Sequence, residues 1–241
     1  MIRRAFVLAL PLLLSAPAAV PARHGGVVLD ARRATPGIEL RLEEMAAVQA
    51  SPRVRYQLHV TGVPRNLTFA IWTKDFGASF QQVHEGFRTD ERGTLVAVDS
   101  KGQPRRLDEL VLEPGPYPQG AAWEVGLVSD DRTVKAFARV IPRPIAARNG
   151  ACAVGLELVS RRGDRFIASG DGFVPGEEVT IASQVSGRIM HHRTRVGEDG
   201  RLFPDVISHR TGDNRAQYLV KGQACAVAVA YESGEAALAR R

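Results

Sequence analysis

Apolar residues recur at every second position through most of the chain, and glycine or proline cuts each run before it reaches helical length. Val54, Tyr56, Leu58 and Val60 alternate, as do Leu67, Phe69 and Ile71, and again Trp123, Val125 and Leu127. A period of two puts such side chains on one face of an extended strand, so the pattern predicts half-buried β-strands and argues against a helical bundle. The punctuation is clearest from Ser169 to Ile181. There Gly170, Gly172 and Gly176 supply unusual backbone angles, Pro175-Gly176 bends the chain, and Val179 and Ile181 open the next strand.

Taken in order, the first half predicts strands near 38–42, 54–60, 67–71, 80–87, 95–98, 110–112, 123–127 and 134–141, the last two forming a hairpin over Asp130-Asp131. Glu43 to Gln49 could instead continue as a short helix. Pro114 to Gly120 is a stiff loop that cannot be a central strand. The second half predicts strands near 152–159, 165–168, 178–183, 187–196, 201–206, 217–220 and 225–231. A length of 241 residues, 44% of them hydrophobic, suits two cores of about 100 residues each. The expected organisation is all-β: a signal peptide at 1–22, a flexible lead-in at 23–36, a first sandwich at 37–142, a linker at 143–150, a second sandwich at 151–232 and a frayed tail at 233–241.

Arg3-Arg4, the apolar run Ala5 to Leu14 and the small residues up to Ala22 have the three parts of a secretory signal, with cleavage expected after Ala22 and next after Ala18. The run is too short to cross a bilayer, and no later stretch qualifies, so no transmembrane segment is expected in the mature chain. Export to the periplasm or beyond places Cys152 and Cys225 in an oxidising compartment, where an even count favours a disulfide over a metal pair without CxxC spacing.

The formal charge is +6, yet the surplus is spread thinly, net +1 over residues 23–142 and net +3 over 143–241. Nucleic-acid binding needs a concentrated basic face, so that function class is disfavoured.

The two halves correspond in three places. Val63-Pro64 before Leu67-Thr68-Phe69 matches Val174-Pro175 before Val179-Thr180-Ile181. The turn Asp90 to Leu95 matches Gly197 to Leu202, and Ala122 to Val125 matches Gln217 to Val220. Three matches in one order point to an internal repeat. Gly172-Phe173-Val174-Pro175-Gly176-Glu177-Glu178-Val179, then Asp199-Gly200-Arg201-Leu202 and the strand from Cys225, resemble the bacterial immunoglobulin-like domains of exported and cell-surface proteins, over roughly residues 150–232. The resemblance implies tandem immunoglobulin-like β-sandwiches acting as spacers, adhesion modules or accessory domains, and it transfers no activity.

No GxSxG elbow or Ser-His-Asp setting is present, so no catalytic residue and no cofactor is assigned. Met190, His191, His192 and His209 would approach one another if 187–196 and 201–209 formed a hairpin, which raises copper handling as an alternative. Against it, His191 and His192 point to opposite faces of a strand. The paired carboxylates Glu43-Glu44, Asp130-Asp131 and Glu177-Glu178 are most simply solvated turns. Trp72, out of phase with Leu67, Phe69 and Ile71, is a candidate contact for a sugar or a protein side chain if it faces solvent, and otherwise covers a sandwich end or packs between domains. The function these features favour is a non-enzymatic binding or structural module whose partner is a protein or glycan of the cell envelope.

Overall fold

The computed structural model describes residues 29–46, 53–99, 101–185, 187–210 and 215–240, and the signal sequence expected at 1–22 lies outside them. Seventeen strands and three short 3₁₀ turns make up its regular structure. The first half contributes β1 (Glu39–Glu44), β2 (Tyr56–Thr61), β3 (Thr68–Lys74), β4 (Gln81–Thr89), β5 (Leu95–Val98), β6 (Pro104–Arg106), β7 (Val111–Leu112), β8 (Trp123–Ser129) and β9 (Lys135–Val140). The second contributes β10 (Ile145–Asn149), β11 (Cys152–Leu158), β12 (Arg165–Asp171), β13 (Glu178–Val185), β14 (Arg188–Arg195), β15 (Leu202–Ser208), β16 (Arg215–Lys221) and β17 (Ala226–Glu232).

These strands form four antiparallel sheets, which make two sandwiches. In the first, β1-β2-β7 faces β6-β5-β4-β3-β8-β9; in the second, β10-β11-β12-β15 faces β14-β13-β16-β17. The alternating side chains meet between the layers. Leu40 and Leu58 from one sheet bury with Phe69, Ile71, Val125 and Leu127 from the other, and Val154, Leu156 and Phe166 bury with Val179, Ile181, Tyr218 and Val220. Each such side chain contributes about 1.5–3 kcal/mol on leaving water. Cys152, at the start of β11, is bonded to Cys225, just before β17, and so ties the two sheets of the second sandwich together.

The correspondence of the halves extends to topology. The order β4-β3-β8-β9 repeats as β14-β13-β16-β17, and the hairpin β1-β2 repeats as β11-β12. Gly62 follows β2 at φ 78° with the Gly37 carbonyl oxygen 2.1 Å from where a Cβ would lie; Gly172 follows β12 at φ 75° with the Ala151 oxygen at 2.0 Å. Both are positions only glycine can occupy. The turns at Gly93 and Gly200 share one bonding pattern: Asp90 N–H reaches Thr94 O and Gly197 N–H reaches Arg201 O.

The halves differ in one connection. After its turn, β5 pairs with the end of β4 (Arg88 with Val96, Thr89 with Leu95) and stays in the same sheet. Its counterpart β15 crosses to the opposite sheet and pairs with β12.

Four segments depart from the sequence expectations. Residues 143–150 contain β10, which pairs with β11 over five positions, so this stretch is built into a sheet instead of connecting two bodies. The core is continuous there: Gly120 N–H donates to Arg143 O, Leu158 N–H donates to Gly120 O, and Ala121 bridges Leu158. The lead-in is anchored from residue 29, since Thr35 N–H donates to Lys135 O at 2.7 Å and Lys135 N–H donates back to Thr35 Oγ1 at 3.0 Å. The tail folds into the 3₁₀ turn Gly234–Leu238, with Ala237 buried and Gly234 N–H donating to Gly163 O. Finally, Glu43 and Glu44 extend β1 as a strand and Met45 and Ala46 are not helical, while the rest of the proposed helix, 47–49, lies outside the described residues.

The carboxylate of Glu177 is buried, not part of a solvated turn. Its Oε1 accepts from Val174 N–H at 2.9 Å, and its Oε2 accepts from Gln223 N–H at 2.6 Å. The Val174-Pro175-Gly176-Glu177 bend is thereby fastened to the loop that follows β16. Glu178, one residue on, stands exposed on β13.

Candidate binding surface

Trp72 is only 8% exposed. It does leave the Phe69 and Ile71 face, but the back of its sheet is covered too: Ala70, Phe80 and Val128 surround it, with Leu29 and Phe137 packed alongside. An indole enclosed in this way has no stacking face to offer, so the exposed-contact expectation is corrected to a packing role. The covering groups come from remote stretches, which alternation within one strand cannot reveal.

The hairpin that would gather the histidines does not form. β14 pairs with β13, and β15 pairs with β12 in the other sheet. His209, beyond the end of β15, is buried, with its Nε2 2.9 Å from the Tyr231 hydroxyl and its ring against Phe166. His191 and His192 are exposed on β14. Among the described residues no group of three or more His, Cys, Asp or Glu side chains could hold a metal ion.

What the crossing of β15 creates is an open flank. β14 and β15 are the edges of their two sheets on the same side of the second sandwich, joined by the side chain of Asp205. That carboxylate accepts from the Tyr218 hydroxyl at 3.1 Å and lies 3.4 Å from His192 Nε2. Burial, reinforced by the negative charge of Asp205, pushes the Tyr218 hydroxyl well above the ordinary phenol range, so it stays a donor. Large apolar groups stand out in water on both strands: Ile189 (54%) and Met190 (57%) on β14, Phe203 (70%) and Val206 (63%) on β15. Beside β15 runs a shallow groove of about 660 Å³, its floor made of small residues including Ala153, Gly155 and Ser169 and its rim including Arg201 and Phe203.

All but one residue of β14 is exposed, and its sequence Arg-Ile-Met-His-His-Arg-Thr-Arg holds three arginines, two histidines and no acid. The sequence predicts a strand here and marks Met190, His191 and His192, but its basic row gains meaning only from the position of β14 at a sheet edge. The surface combines hydrogen-bonding backbone, apolar groups and positive charge.

No protein-family model matches this chain, and no curated protein matches it. Among solved structures, a "tetra-tandem repeat in extending region of large adhesion protein" aligns over 82% of this chain and 48% of its own length, at 15% identity and a TM-score of 0.29. The chain spans about half the length of that structure.

Proposed function

We propose that the chain is a non-enzymatic exported binding or structural module of the bacterial periplasm or cell surface. In this reading its two sandwiches are immunoglobulin-like, and it engages a protein or glycan through the open flank of the second. The observation that carries it is the β14–β15 side, where two strand edges expose Ile189, Met190, Phe203 and Val206, with Phe203 also lining the groove beside β15. The disulfide is compatible with an oxidising compartment. No helix among the described residues is long and apolar enough to cross a membrane.

The test is capture from envelope extract by immobilised full chain, read by mass spectrometry, with a Phe203→Asp, Val206→Asp double variant as control. Both side chains are exposed, so the variant should fold normally. A partner retained by the parent and lost by the variant supports the reading. Equal capture by both, or no capture together with turnover of an envelope substrate, overturns it.

A further inference from the structure

The β14 edge is chemically unlike the edges at β15, β9 and β17. β15 is interrupted by Pro204, which has no N–H to offer a neighbour. On β9, Lys135 is bonded to Thr35, and on β17 the Asn149 amide donates to Ala226 O. β14 instead pairs with β13 over eight consecutive positions without a bulge, contains no proline, and among the described residues has no strand on its outer side.

The direction of its free backbone groups follows from one bond. Val196 N–H donates to Glu177 O, which makes that pair a hydrogen-bonded one in the register where Arg195 faces Glu178. Bonded pairs alternate along an antiparallel ladder. Arg188, Met190, His192 and Thr194 therefore turn their amides inward to β13, and Ile189, His191, Arg193 and Arg195 turn theirs outward. The side chains of this second set stand on the outer face of the sheet, because His192 of the first set reaches across to Asp205 in the opposite sheet. Three of the four residues with outward donors and acceptors are thus His191, Arg193 and Arg195, Arg193 also pairing with Glu178 of β13 at 3.2 Å.

We propose that β14 receives an extended acidic polypeptide segment as an added antiparallel strand, with acidic side chains at every second position opposite His191, Arg193 and Arg195. This rests on the binding-module reading and specifies its partner. Charge decides the occupant. Like charges on an edge repel a matching strand, so a second copy of β14 is disfavoured, whereas an acidic strand gains ion pairs in the same register that satisfies the backbone.

The experiment uses the full disulfide-bonded chain and three nine-residue peptides in which glutamate alternates with threonine or valine. One is unmodified, one is N-methylated at the glutamates, and one is N-methylated at the intervening residues. Opposite His191, Arg193 and Arg195 it is the glutamate N–H groups that face β14. The expected result is saturable binding of the unmodified peptide, retained by the third and weakened at least about tenfold for the second, a difference of about 1.4 kcal/mol. His191→Pro, which removes one outward N–H and no inward one, should abolish binding while leaving the melting temperature nearly unchanged. Equal binding of all three peptides, or equal binding of a single-stranded polynucleotide, would mean charge attraction alone and overturns the proposal. Failure of every peptide also overturns it; continued envelope capture that is sensitive to Phe203→Asp, Val206→Asp would then leave the broader reading standing, and loss of that capture would remove both.

Discussion

Replacing Glu177 tests whether the bend before β13 is held by a side chain or by the strand alone. The carboxylate accepts two main-chain hydrogen bonds, at 2.9 Å from Val174 and 2.6 Å from Gln223, and Gly222 packs so closely that a Cβ there would lie 2.7 Å from Oε1. A hydrogen bond to a charged acceptor is worth about 1.5–3 kcal/mol, so Glu177→Ala, which removes both, should cost about 3–5 kcal/mol. Glu177→Gln keeps one carbonyl oxygen but turns an amide NH₂ toward the other N–H, so about half that loss is expected. With a urea slope of about 2 kcal/mol/M, the alanine variant should unfold about 1.5–2.5 M earlier at unchanged slope. Circular dichroism is the suitable probe, because Trp72 and Trp123 both lie in the first sandwich. A glutamine variant as stable as the parent would refute the argument, since desolvation of the carboxylate would then cancel whatever its two bonds contribute.

Four further outcomes follow from the packing. All four tyrosines of the chain are buried, and burial raises every one, Tyr56 to about 12, assisted there by Glu44. Because the folded values lie above the unfolded one, this stability is intact below about pH 10 and is lost above it, at up to about 5 kcal/mol per pH unit for four groups. Phenolate absorbance should therefore appear together with unfolding; separate titration of folded protein near pH 10 would contradict it. Reduction of Cys152–Cys225 releases a closure of 73 residues, worth about 4–5 kcal/mol by loop entropy, and adds two daltons to the intact mass. Trp72→Ala should lower stability by about 3–5 kcal/mol, measured by urea unfolding, and leave partner capture by folded protein intact. Gly120→Ala should strain the seam between the halves, because Gly120 has φ 79° and Ile145 Cδ1 lies 2.7 Å from its absent Cβ; a melting temperature equal to the parent's would show that the seam yields freely.

Local chemistry made the strands legible and non-local chemistry hid their assembly. Leu67 to Trp72 shows its alternation, Gly93 and Gly200 show their turns, and two cysteines allow a single intramolecular pairing. The inward turn of Glu177 was not legible, because its partner Gln223 lies 46 residues on. Nor was β10, whose short run beside Pro142 and Pro144 looks like a break until β11 supplies its partner. The same limit hides the destination of β15. Its turn is equivalent to that before β5, and the difference lies in what each strand finds to cover: Leu202 and Ile207 are buried in the second core, and Ile207 is paired with Phe166 of β12.

That destination links the repeat to the surface it leaves behind. In the first half, β5 remains beside β4, and the sheet grows outward through β6 to an edge of three residues that opens with a proline. In the second half, β15 closes the opposite sheet, so β14 becomes terminal with all eight of its positions paired on one side only. A bare, regular edge invites association with any compatible strand. Arginine and histidine at the outward-facing positions restrict that association to strands of opposite charge. One rerouted connection and one basic strand are together sufficient to give two sandwiches of similar strand order different capacities: the first ends in a blunted edge, and the second presents a charged template.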